Sequence, residues 1–287
     1  MRIELALATL LLPAILLAQE RVTVRGRIIN ERGEAVEYVQ VGVPKLHIGT
    51  ISTADGRFEI TVPCDTLEFF HVSYQPAAHP VTGSTDDAVI VLHEQELPPA
   101  VFIDGDTKEK YLLRPGANIL KNMGIITTDM RSEQPSGREI GSVAKARKPF
   151  LVKDILLSVH SNHIPGCIAS INIYRIEGKN ESFVNVLHKP IYFDVAVSDK
   201  PQNFDIQPEE TILLEPGRYF IAFQIVGCDE NALKAFLAKP EDKREFWEMT
   251  IDFDIYLKSS YIREVALGKM ESFPVNIGVA VKGLEFQ

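Results

Sequence analysis

From Val22 to Leu92, apolar and polar positions alternate in short runs, each cut by turn-forming residues. Val22, Val24 and Ile28-Ile29 mark a first strand, and Asn30-Glu31-Arg32-Gly33 reads as a turn in which Gly33 supplies a positive φ. Tyr38 to Val43 alternates as a second strand, and Gly49 to Ser52 opens a third. Asp55-Gly56 is a hairpin signal, and Arg57 to Val62 alternates after it. Leu67 to Tyr74 and Val89 to Leu92 bring the total to about seven strands. Strands this short, with no helical segment between them, predict a β-sandwich over residues 19–93.

Alternation returns from Phe150 onward. Val152 to His160 places Ile155, Leu157 and Val159 on one face, and the runs IASINIYRI from Ile168 and YFIAFQIV from Tyr219 continue the strand pattern. Thr250 to Leu257 and Val275 to Val281 close a sheet. Glu230 to Met249 is the one helical stretch, interrupted by Pro240, with Leu233, Phe236 and Leu237 on one side. The expectation is an all-β chain of two β-sandwich domains, the second (residues 149–287) larger, antiparallel and carrying a short helical insertion. Residues 94–148 read as a joint: Pro98-Pro99, Asp104-Gly105-Asp106, a Lys/Glu cluster and Arg114-Pro115-Gly116 interrupt the pattern. Asp104, Asp106 and Glu109 miss calcium-loop spacing, so a solvated linker is the better reading.

The amino terminus has a different pattern. Residues 1–18 begin with a charged Met1-Arg2 start, run apolar from Leu5 to Leu17, and end at Ala18 before the polar Gln19-Glu20. The run is shorter than the ~20 residues of a spanning helix and fits a cleavable export leader. A periplasmic, outer-membrane-associated or secreted protein follows, with no membrane span in its mature form. The 287 residues carry 30 Lys and Arg against 39 Asp and Glu, a net charge of −9, which argues against nucleic acid as a partner. Export places Cys64, Cys167 and Cys228 in an oxidising compartment. Cys167 and Cys228 each lie beside a predicted strand and could pair; three buried free thiols are the alternative.

The segments RGRIINERGEAVEYVQV, HIGTISTADGRFEITVP and LEFFHVSYQP carry a resemblance. Gly26, Gly33, Gly49, Thr50, Thr53, Gly56, Phe58 and Tyr74 match the pattern of the carboxypeptidase-regulatory-like domain of exported Bacteroidetes proteins. Ser73 stands where that family usually has Gly, and Ala54-Asp55 shifts its Thr-Asp by one place. The resemblance covers about a quarter of the chain and implies a transthyretin-like sandwich serving as an accessory module. Glu139-Ile140-Gly141-Ser142, Asn172-Ile173-Tyr174 and Tyr261-Ile262-Arg263 resemble, more loosely, the sandwich that commonly follows it.

Candidate chemistry is sparse. His93-x-x-Glu96 with His188 spells the ligand types of a zinc carboxypeptidase, but the helices of that enzyme's catalytic domain are missing from the pattern. His160 and His163 would not share a face on a strand. Asp252 and Asp254 project to one side of a predicted strand; they are weak metal candidates and read better as its wet face, opposite Ile251, Phe253 and Ile255. Phe246, Trp247, Tyr256 and Tyr261 are candidates for a glycan-stacking platform, with core packing as the alternative. The reading is therefore a non-enzymatic exported interaction protein with no cofactor, binding a protein partner through loops or edge strands. A glycan-binding second sandwich is the first alternative, and a metal-dependent hydrolase the second. A first module of about 70 residues is small for independent stability, which predicts that it docks on the second.

Overall fold

The computed structural model describes residues 21–96, 105–114, 125–132 and 136–287. The leader of residues 1–18 lies outside them, as do Pro98-Pro99 and Asp104. The first sandwich is built from β1 (Arg21–Asn30), β2 (Gln40–Val43), β3 (Ile48–Ile51), β4 (Arg57–Pro63), β5 (Thr66–Phe70), β6 (Ala77–Pro80) and β7 (Thr85–Leu92). One sheet has the order β4-β1-β7 and the other β3-β2-β5-β6. β1 runs antiparallel to β4 and parallel to β7. Its alternation sends Val22, Val24 and Ile28 inward and leaves Arg21, Arg25 and Arg27 in solvent. Phe58 and Phe69 meet edge to face at 5.6 Å in the core between the two sheets. Gly56 turns the β3–β4 connection at φ +78, where a side chain would also strike the Ile28 carbonyl oxygen.

The second sandwich takes its strands from β8 (Thr107–Leu113), β9 (Ile125–Asp129), β10 (Glu139–Ala146), β11 (Phe150–Val159), β12 (Ser161–Asn162), β13 (Cys167–Glu177), β14 (Ser182–Asn185), β15 (Ile191–Val195), β16 (Gln202–Ile206), β17 (Ile212–Leu214), β18 (Gly217–Gly227), β19 (Thr250–Tyr256), β20 (Ser260–Arg263), β21 (Glu271–Phe273), β22 (Asn276–Ile277) and β23 (Val279–Phe286). One sheet has the order β14-β13-β18-β10-β20-β21, with β15 also on β13. The facing layer comprises β16-β11-β23-β8, with β17 on β11, and β12-β19-β22, with β9 on β19. Ile171, Ile173, Ile221 and Phe223 pack with Phe150, Ile155, Leu157, Phe253 and Val281 in the core between them. The all-β reading holds.

The stretch read as a joint is different. Residues 94–148 contribute β8, β9 and the central strand β10 to the second sandwich. β8 has the charged sequence TKEKYLL because it is a sheet edge on β23, where Lys110 pairs with Glu285 and Glu109 with Lys282, both at 2.7 Å. The helix α1 is shorter than expected, Glu230–Leu237; Asp229 caps its start by accepting from the Ala232 amide at 2.8 Å, and it ends before Pro240.

β18 explains how the two sandwiches join. Tyr219, Ile221, Phe223 and Ile225 face the sandwich core. The alternate residues are buried as well: Phe220 and Ala222 lie under Tyr174 and Tyr261, and Val226 packs with Tyr38 and Ile51 of the first sandwich and with Ala266. A strand covered on both faces reads as a continuous apolar run. At this seam, a Cβ on Gly49 would lie 2.0 Å from the Ala266 carbonyl oxygen, so only glycine lets the two backbones approach this closely. Tyr38, held at φ +51, stacks edge to face on Tyr192 at 5.1 Å, and Ser73 Oγ donates to the His188 carbonyl at 3.0 Å.

Candidate binding crevice between the sandwiches

Beside this seam the surfaces part and leave a crevice of about 1060 Å³. Its floor is Tyr38, Ile51 and Val226, buried residues of the seam cluster that border the crevice. One wall is the outer face of β1, β4 and β7, carrying Arg25, Arg57 and Val89; the other is α1, with Leu233 and Leu237, and Met130. Val89 is 62% exposed and Val91 on the same strand 43%, so β7 presents apolar surface to solvent. Most of the charged groups form ion pairs; Arg27 instead donates to the Asp55 carbonyl oxygen, and Asp87 adds an acidic group. Arg25 holds Glu59 through two bonds of 2.8 Å and Asp86 through a third. Arg57 bonds Asp55 at 2.8 Å and lies 3.6 Å from Glu230 on α1, an ion pair that spans the two walls. The crevice thus combines an apolar floor with a rim of mostly paired charges.

A second constellation lies behind the seam and was not expected from sequence. Glu139 is wholly buried; its Oε1 accepts from Asn172 Nδ2 at 2.8 Å and Tyr174 Oη at 2.7 Å, and its Oε2 lies 3.1 Å from the Arg263 guanidinium. That guanidinium also stands 5.0 Å from the Tyr174 ring centre. Burial pushes the Glu139 carboxyl above the usual carboxylate range, while Arg263 and the two hydrogen bonds oppose the shift. All four of these residues, Glu139, Asn172, Tyr174 and Arg263, occupy the three loosely matched motifs Glu139-Ile140-Gly141-Ser142, Asn172-Ile173-Tyr174 and Tyr261-Ile262-Arg263. Gln40 of the first sandwich, also buried, reaches Tyr174 from across the seam. The members of this network are buried, and it ties β10, β13 and β20 to one another and to β2 of the first sandwich.

The sequence candidates are dispersed. Phe246 is 81% exposed and meets Trp247 edge to face at 5.3 Å. Tyr256 packs its ring on Gly278, and Tyr261 is buried against Phe183 and Phe220 while bonding Arg218 and Glu181. Of the four proposed stacking residues, only the first two form an open aromatic surface. The wet-face reading of Asp252 is corrected: β9 and β12 flank β19, so its carboxylate is buried and accepts from Thr127 Oγ1 at 2.6 Å and Ser161 Oγ at 2.8 Å. Asp254 is partly buried and pairs with His160 at 3.1 Å. His93 pairs with Glu31 and His188 faces Glu210. No three His, Cys, Asp or Glu side chains among the described residues converge as metal ligands. Cys64, Cys167 and Cys228 are free thiols.

No family model matches the chain, and no curated protein matches it. Solved structures with some likeness include a DUF3823 family protein from Parabacteroides merdae, at 7% identity over 72% of this chain and 98% of that one, with a TM-score of 0.21. A DUF3823 family protein from Bacteroides ovatus gives 11% identity over 72% and 97%, with a TM-score of 0.21. Infectious bursal disease virus, Gx strain, gives 10% identity over 96% and 62%, with a TM-score of 0.27. Scores this low assign the chain to neither group. Among the described residues, no helix is long and apolar enough to cross a membrane.

Proposed function

We propose that this is a non-catalytic exported protein of the cell envelope that binds a protein partner in the crevice between its two sandwiches. The first sandwich then acts as an accessory module, the role implied by its resemblance to the carboxypeptidase-regulatory-like domain. One observation carries the reading: both sandwiches and α1 contribute walls to an apolar-floored crevice whose rim charges are mostly held in ion pairs. A partner would cover the floor and bury Val89 and Leu233 while the Arg25 and Arg57 ion pairs stay in place. A photo-crosslinking residue placed at Val89 or Leu233 in the native cell should capture one protein of defined mass. The same residue at Val184, exposed on β14 and outside the crevice lining, should not. Equal capture at all three positions, or none in the crevice, would contradict the proposal.

The exposed Phe246–Trp247 pair supports a glycan-binding second reading. Titration with a panel of envelope and dietary polysaccharides, read by Trp247 emission, tests it directly because Trp247 is the only tryptophan. A saturable shift supports that reading, and a flat response across the panel removes it.

A further inference from the structure

Cys167 opens β13, and Cys228 immediately follows β18. These strands pair antiparallel with Ile168 opposite Gly227, so one step further along the register Cys167 stands opposite Cys228. Both side chains pack against the same core, that of the second sandwich, and therefore project from the same face of the sheet. Just beyond the pair, the Asp229 amide donates to the Pro165 carbonyl at 2.9 Å and holds the two chains together. Asp229 is the cap of α1, and Cys228 and α1 both line the crevice. Cys64, by contrast, lies exposed in the first sandwich, on the turn between β4 and β5.

From this register we infer that Cys167 and Cys228 are a disulfide-forming pair whose oxidation fastens the start of α1, and with it one wall of the crevice, to β13. Directly opposed cross-strand residues lie within the Cα separation that a disulfide bridges. A low-molecular-weight disulfide supplies the oxidising equivalents. The more accessible Cys228 sulfur, as thiolate, attacks one sulfur of that compound, breaking its S–S bond and releasing one small thiol. The Cys167 sulfur then attacks the Cys228 side of the mixed disulfide and releases the second thiol. The protein loses two protons and two electrons, and the small disulfide becomes two thiols. Burial pushes the Cys228 thiol up to about 11 and that of Cys167 up to about 12. The Asp229 and Glu230 carboxylates act in the same direction on Cys228, as Asp194 and Cys228 itself do on Cys167. Both groups are thus thiols at neutral pH, and exchange is slow unless the solution is alkaline.

The test uses the full chain, reduced and then equilibrated at alkaline pH with oxidised and reduced glutathione. Unfolding, alkylation without reductant and peptide mapping should show Cys167 joined to Cys228, a mass lower by two hydrogens, and Cys64 alone alkylated. Three alkylated cysteines at the most oxidising ratio, or a bridge that includes Cys64, would overturn the pairing. A C64S variant should form the same bridge. In the oxidised protein, amide exchange across residues 229–237 should slow on the order of tenfold relative to the reduced protein. Unchanged exchange would overturn the fastening of the crevice wall.

Discussion

His71 lies buried at the seam, where its Nδ1 accepts from the Ser73 amide at 3.2 Å and its Nε2 faces the Tyr192 hydroxyl at 3.3 Å. Accepting at Nδ1 requires a neutral ring with its proton on Nε2. Burial lowers its pKa to about 4, below the ~6.5 of an unfolded histidine. Protonation therefore favours the unfolded chain: the contribution is intact above pH ~6.5 and is lost as pH falls toward ~4. Between pH 7 and pH 5 the loss amounts to about 2 kcal/mol. In urea titrations, His71→Gln should flatten the pH dependence across that interval relative to the parent chain. Identical slopes would show that the ring is not held neutral. Little of this was visible in the sequence, because His71 contacts a tyrosine 121 positions away. The same limit hid Glu139 and Asp252. A carboxylate at alternate positions along a strand looks like a wet face, and only the covering strands, distant in sequence, reveal it as buried and paired.

At the scale of elements, the sequence was most legible where one face meets water. β1 and β4 alternate cleanly and were placed by their pattern alone. β8 was missed because an edge strand bearing Lys and Glu has the composition of a linker, and its assignment depends on pairing with β23 at the far end of the chain. The helix was found but overextended, since the stretch was read through Pro240, which has no amide hydrogen to continue the hydrogen-bond ladder. α1 has only Phe236 fully buried, so its cap matters. Asp229→Ala should cost about 1 kcal/mol, and hydrogen exchange should speed up across residues 230–237 while the β18 amides stay protected. Unchanged exchange in the helix would mean that packing, not the cap, sets its start.

For the whole molecule, the prediction that a small first sandwich must dock was argued from size, and the structure supplies the surface it docks on. YFIAFQIV was legible as a strand, but its burial on both faces only makes sense once Val226 meets Tyr38 and Ile51 across the seam. Gly49 was noticed as a motif residue, and its physical reason is the Ala266 carbonyl pressed against it. The crevice has a fixed shape only if this seam makes the two sandwiches one body. Calorimetry of the full chain against its Gly49→Val variant tests that most directly. A valine there must push the seam apart, at a cost of about 1–3 kcal/mol. The parent should melt in one cooperative transition, which the substitution lowers or splits. Two independent transitions in the parent, neither moved by Gly49→Val, would contradict the account.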